Sequence, residues 1–421
     1  VAIVFFFTPL ALLIVGVRPS NIENHAPSRF PHLQASWATF DRLNTYFSDN
    51  LPLRDVAIRD NERLSESLFG QPAPRSQGDS SVAGAVTPGV VTSPTTTAPA
   101  EGADAPPPKQ TEQQNFLRLP PPAPEPPESS NDEVTVGQGG WLYLTGEFYK
   151  ECEPGQPPTT VIANLQRLQK ILAASGRTFI FTLAPDKSAA EPQFLPSNYP
   201  DQSCAPAAKQ QTFSLLNQAR IPGYIDMKDL IAEHQIAEGR LYYLRKDTHW
   251  NSLADVLFAE QIAQRLDPTL LDGLISTESI TSYVGDLTVL LGDPTADRTI
   301  TDKLTRPGVT TSQATVSLAP GISGTESKAV SGAAPLVGGR TLLVGDSFSE
   351  AVQSSLVPFF SDLLSVKNAY FAEAPETMFD AMASSKTIIL VWNERYFADP
   401  NYGVMWSTAF LDKLQADLKP I

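Results

Sequence analysis

Residues 71–132 hold fourteen of the chain's 37 prolines, with Thr, Ser, Ala and Gly filling half of the rest and almost no aromatic residue. Such a segment buries too little apolar surface to offset the entropy lost on ordering, so it reads as a disordered or extended linker. It leaves residues 133–421 of the 421-residue chain for a folded domain. Hydrophobic content of 42% is enough for a sizeable core there.

The N-terminus is apolar from Val1 to Val17, interrupted chiefly by Thr8 and Pro9, and Arg18 follows without a small-x-small cleavage pattern. The expectation is a truncated membrane anchor over residues 1–20, which in full would reach the ~20 residues of a spanning helix. A cleaved signal peptide is the competing reading. Trp37, Phe40, Leu43, Tyr46 and Phe47 recur at three- and four-residue steps, which predicts a short helical neck within residues 21–70. The formal charge of −15 argues against nucleic acid as a partner, because phosphate binding needs clustered Lys and Arg.

Within 133–421, apolar strand-like runs alternate with helical periodicities. Ile162, Leu165, Leu168, Ile171 and Leu172 mark a helix that Gly176 stops. Strands are expected at 178–183, 224–225, 342–344, near Val366 and at 387–392, and helices at 208–219, 251–266, 351–360 and 404–418. This rhythm predicts an α/β domain with a mostly parallel sheet, with Leu183 and Val344 on neighbouring strands. Residues 270–338 fit it poorly and are expected to be an irregular or β-rich insertion. Cys152 and Cys204 both lie in polar, Pro-containing loop sequence. In an exported domain they could form one disulfide; the alternative is two unrelated loop thiols.

Two segments carry chemistry. Asp247-Thr248-His249-Trp250 offers an imidazole with a carboxylate two residues away. Gly345-Asp346-Ser347-Phe348-Ser349 follows the apolar Thr341-Leu342-Leu343-Val344 and precedes a helix. A serine at such a turn has its hydroxyl lifted off the sheet near the positive end of the helix. Of the four histidines, His25 and His32 lie near the expected anchor and His234 in a polar helical stretch, so His249 is the candidate base. Ser347, His249 and Asp247 thus supply nucleophile, base and orienting acid. No second histidine stands at metal-ligand spacing, so no metal and no cofactor are expected.

Gly-Asp-Ser with a distant Asp-x-His resembles the SGNH hydrolase superfamily. With Asp-x-His-Trp preceding the serine, it is similar to the alginate O-acetyltransferase group, the AlgX and AlgJ type. Gly140-Trp141-Leu142-Tyr143-Leu144, Ala184-Pro185-Asp186-Lys187, Leu241-Tyr242-Tyr243 and Glu394-Arg395-Tyr396 add to the likeness. The resemblance implies an SGNH-like three-layer α/β domain that transfers an acyl group, most simply acetyl, to an exported polysaccharide or glycolipid through a serine acyl-enzyme. It also implies a membrane-bound O-acyltransferase as supplier of acetyl groups and a catalytic domain on the extracytoplasmic face. Asn393 is a candidate oxyanion donor beside the Ser347 backbone N–H. Lys187, Arg395 and Tyr396 are candidate substrate-facing groups, with surface ion pairs as the alternative for the two cations. A carbohydrate or lipid esterase with the same three residues, or a catalytically silent envelope assembly protein, are the competing functions.

Overall fold

The run Thr387–Asn393 is buried at every position, and a strand that apolar belongs in the middle of a sheet covered on both faces. That is where it lies in the computed structural model, which describes residues 133–421. In chain order the strands are β1 (Val134–Val136), β2 (Leu142–Leu144), β3 (Thr178–Ala184), β4 (Tyr224–Ile225), β5 (Ile275–Val284), β6 (Ala296–Thr305), β7 (Val309–Ala319), β8 (Ile322–Ser331), β9 (Val337–Gly345), β10 (Phe360–Lys367) and β11 (Thr387–Asn393). The main sheet runs β4-β3-β11-β9-β10-β8-β7. Its first five strands are parallel, and β8 and β7 extend it as an antiparallel hairpin beyond β10.

Alternate side chains of each parallel strand feed two cores, as the two-residue strand period requires. Ile389 and Val391 of β11 join Leu343 of β9 on one face. Ile388, Leu390 and Trp392 join Leu183, Leu342 and Val344 on the other. The helices are α1 (Gly146–Cys152), α2 (Pro158–Ala174), α3 (Lys187–Ala190), α4 (Ala205–Ala219), α5 (Met227–Glu238), α6 (Ser252–Leu266), α7 (Asp286–Leu290), α8 (Ser347–Leu356), α9 (Tyr370–Glu373), α10 (Pro375–Ala383) and α11 (Thr408–Asp417). Residues of α5, α6 and α8 cover the first face, and residues of α2, α4, α10 and α11 cover the second. The domain is a three-layer α/β sandwich with a mostly parallel sheet.

Several expectations need correction. Leu183 and Val344 are both fully buried, but β11 lies between their strands, pairing Trp392 with Leu183 and Leu390 with Val344. The last strand in sequence is buried throughout, and it takes the middle of the five parallel strands. The helix expected at 351–360 begins at Ser347, capped by the Asp346 side chain, and ends at Leu356. Pro358 follows in a 3-10 turn, and β10 starts at Phe360. The final helix begins at Thr408 on a Ser407 cap, after a separate 3-10 turn at Val404–Trp406. Residues 275–305 and 309–331 form two long antiparallel hairpins. The expected anchor, neck and linker lie outside the described residues, among which no helix is long and apolar enough to cross a membrane.

A disulfide joins Cys152 at the end of α1 to Cys204 just before α4, with the Cα atoms 5.9 Å apart. The bridge spans 52 residues, and closing a loop of that size stabilises by about 4 kcal/mol in the chain-entropy model. Replacing both cysteines by serine is therefore expected to lower the unfolding free energy by about that amount in a denaturant titration. An unchanged transition midpoint would contradict this.

Candidate active site

Three parallel strands end side by side, and their carboxyl ends carry the chemistry, where open α/β sheets place their sites. At β9 the chain turns tightly into α8. Gly345 has no room for a side chain, since a Cβ there would lie 2.1 Å from the Val391 carbonyl oxygen of β11. Asp346 follows, buried, and its carboxylate is fully engaged. Oδ1 accepts the Phe348 N–H at 3.0 Å, capping α8, and Oδ2 accepts the Asn393 N–H at 2.8 Å. Burial pushes this carboxyl up, and the two N–H donors pull it back toward the charged form. Ser347 is thereby held, half-buried, at the first position of α8.

His249 comes from a tight loop between Tyr243 and Trp250, which pair across an isolated antiparallel bridge. Asn251 ends the loop, capping α6 through the Leu253 N–H and donating from its amide to the Leu241 carbonyl. Inside the loop, Asp247 Oδ1 lies 2.7 Å from His249 Nδ1 and also accepts the His249 N–H at 3.0 Å. Nδ1 is thus tied to a carboxylate, and Nε2 is buried with no hydrogen-bond partner. The Phe348 ring lies 4.9 Å from the imidazole and 5.1 Å from the Trp250 ring. Since Phe348 follows Ser347 directly, this packing sets the imidazole beside the serine turn.

Electrostatics poise the pair. Burial alone would lower the His249 pKa, but the hydrogen bond to Asp247 and the charges of Asp247 and Asp286 outweigh it and push it up to about 9. Burial works to raise Asp247, yet hydrogen bonding and the imidazolium hold its carboxyl well below the usual range. Asp286, on the hairpin-bearing segment 275–305, is a residue the sequence pattern did not single out. Its carboxylate accepts the Thr248 N–H at 2.8 Å and the Thr248 hydroxyl, and lies 3.7 Å from His249 Nδ1. Asp247, His249 and Asp286 place one ligand-type atom each within 4.8 Å of one another, a composition that could hold a cation. Nδ1 and the Asp286 oxygens are already committed to the hydrogen bonds given, so the three form a hydrogen-bonded relay.

The other candidates divide. Asn393 ends β11, fully buried, with Oδ1 accepting the Arg395 N–H and Nδ2 without a partner. Lys187 does not face a cleft. Its ammonium is buried and donates to the Leu142 and Arg245 carbonyls at 2.6 and 3.2 Å, which ties β2 to the histidine loop. Nor is Arg395 a surface group. It is buried and donates to Asp186 at 2.6 Å, while Lys209 binds the other Asp186 oxygen at 2.9 Å. Lys187 begins α3 and Arg395 follows β11, and both are buried against the carbonyls and carboxylates just given. Tyr396 is half-buried and stacks on Tyr402 at 4.2 Å, with the Lys150 ammonium 4.3 Å above its ring. His234 stands apart on α5, paired with Glu238 at 2.9 Å.

Comparison with known proteins finds a family and several similar chains. The family described as "SGNH hydrolase-like domain, acetyltransferase AlgX" matches residues 134–387. The chain is 27% identical over 288 residues to the "Probable alginate O-acetylase AlgJ" of Pseudomonas aeruginosa, covering 65% of this chain and 68% of that one. It is 26% identical over 136 residues to the protein of the same name from Azotobacter vinelandii, covering 32% and 34%. Among solved structures, the O-acetyltransferase domain of Pseudomonas putida AlgJ superposes with a TM-score of 0.44 at 19% identity, covering 67% of this chain and 98% of that one.

The relay predicts a measurable titration. Followed by NMR, the His249 imidazole is expected to titrate at about 9, above the ordinary value, because its neighbours favour the charged form. In Asp247→Asn the midpoint falls toward the ordinary value of about 6.5. A midpoint near the ordinary value in the unaltered protein would contradict the geometry.

Proposed function

The chain belongs to the family of SGNH hydrolase-like acetyltransferase domains of the AlgX type, and from that premise we propose that it transfers O-acetyl groups to an extracytoplasmic polysaccharide through an acyl-enzyme on Ser347. The observation that carries this reading is His249, with Nδ1 anchored on Asp247 and Nε2 buried and unpartnered beside the serine turn. In the neutral form of the imidazole, which gains population as pH rises toward its pKa of about 9, Ser347 Oγ attacks the acetyl carbonyl of the donor while Nε2 takes its proton. Asp247 holds the tautomer that leaves Nε2 free and stabilises the imidazolium. The negative oxygen of the tetrahedral intermediate meets the Ser347 N–H, one of the helix N-terminal donors without an intrahelical acceptor. Asn393 Nδ2 is the second donor, and its lack of any other partner supports that role. As the donor's leaving group departs it takes the proton from Nε2. The same nitrogen then deprotonates a sugar hydroxyl, which attacks the acetyl-serine ester; as the ester C–O bond breaks, Nε2 returns that proton to Oγ and Ser347 is regenerated.

The setting belongs to the same proposal. The apolar run of residues 1–17 supports a membrane anchor, and the Pro-rich composition of residues 71–132 supports a linker giving the 133–421 domain reach along a polymer. The Cys152–Cys204 disulfide supports an extracytoplasmic, oxidising location. The relatives' names as alginate O-acetylases support a polysaccharide acceptor. The acetyl supply comes from a membrane-bound acyltransferase.

The test uses the protein with an activated acetyl ester, with and without an oligosaccharide acceptor. Ser347→Ala and His249→Ala are each expected to lower transfer on the order of 10³-fold or more, and the double variant little further, since the two act as one unit. Asp247→Asn lowers it severely through the lost orientation. Hydrolysis of the ester without transfer to any oligosaccharide would make the protein an esterase. Near-normal transfer by His249→Ala would remove the imidazole from the mechanism.

A further inference from the structure

We propose that Asp286 is a positioning residue for the Asp247–His249 pair, gripping the intervening Thr248 with its carboxylate and Asp247 with its own backbone. The inference rests on the reading of His249 as the base. The grip has three points. Thr248 gives its N–H to Oδ1 at 2.8 Å and its hydroxyl to Oδ2, and the Asp286 N–H donates to Asp247 Oδ2 at 3.0 Å. Asp247 is therefore held from both sides, Oδ1 by His249 and Oδ2 by the start of α7.

The approach is close enough to exclude a side chain. A Cβ on Gly285 would lie 1.9 Å from the Lys246 carbonyl oxygen and 3.0 Å from the Asp247 nitrogen. Glycine at 285 is what lets the two backbones meet. The rest of the hairpin reinforces the same loop. Arg245 forms a two-pronged ion pair with Asp297 of β6 at 2.6 and 2.9 Å, and the Lys246 N–H donates to the Tyr283 hydroxyl at 3.2 Å. Asp286 spends its carboxylate on the histidine loop and not on capping its own helix, where Gly285 is the cap.

Charge makes the role more than mechanical. The titratable and charged groups facing His249 are Asp247 on its own loop, Asp286 on α7, Asp255 on α6 (whose carboxyl burial pushes up to about 8), Asp346 before α8 and Arg395 beyond β11. Of the carboxylates from outside the loop, Asp286 approaches the imidazole within 3.7 Å. Its negative charge favours the imidazolium that forms as Ser347 is deprotonated.

The deciding experiment compares Asp286→Asn, close to isosteric and still able to hold Thr248, with the unaltered protein. It measures the pH dependence of kcat/KM, the NMR titration of His249 and the thermal melt. The expected result is a His249 midpoint and an acidic limb moved together to lower pH, with the plateau kcat lowered about tenfold and KM nearly unchanged. Thr248→Val, which removes one grip and keeps the charge, should lower kcat with the limb left in place. An unmoved midpoint and limb in Asp286→Asn, with only the melt lowered, would overturn the proposal; so would unaltered kcat in both variants. The titration needs no turnover, so it judges Asp286 even if Ser347→Ala were to retain transfer and the acyl-enzyme reading fell.

Discussion

The buried carboxylate of Asp346 is the contact on which the site depends. One oxygen caps the helix that begins at Ser347, and the other holds the end of the central strand at Asn393. A buried carboxylate without such donors would be costly; with them it locks the nucleophile's turn to the oxyanion candidate in one step. The close pass of Gly345 over Val391 is a condition of that lock. Position along the sheet and chemistry at its edge are thus set by the same few atoms.

A second seam secures the neighbouring strand end. Asp186, beyond β3, accepts from Lys209 and Arg395, and its N–H donates to Glu394 at 2.7 Å. Glu147 and Glu394 lie in the same buried region, where burial pushes their carboxyls up to about 8 and about 7. The disulfide holds α1, with Glu147, against α4, with Lys209. Breaking one partner of such a cluster leaves an uncompensated buried charge. The ions therefore fix the strand ends relative to one another more than they add stability.

The layers and most elements were legible because their signals are local. Periods of two and of three to four residues and the Gly176 stop can each be read within a dozen residues. The placing of Ser347 at the start of a helix and the contact of Asp247 with His249 were legible because strand-turn-helix and Asp-x-His are short patterns. What failed was long-range. The insertion of β11 between β3 and β9 joins strands far apart in sequence, and no local pattern states it. Residue type says nothing of the carbonyls and carboxylates that meet Lys187 and Arg395, so it cannot separate substrate-facing or surface cations from the buried ones of the fold. Asp286 lies 39 residues from Asp247 in a segment of weak periodicity. Only the folded hairpin brings it to the loop.

The central claim is that Ser347 carries the acyl group. Brief exposure to an activated acetyl ester, followed by mass spectrometry of the digested protein, tests it most directly. The account predicts the mass of one acetyl group on the peptide containing Ser347. That mass should vanish when an acceptor oligosaccharide is added, with the acetyl then found on a sugar hydroxyl. Acetyl transfer to the sugar by a protein whose Ser347 never carries the group, or carries it without passing it on, would contradict the account.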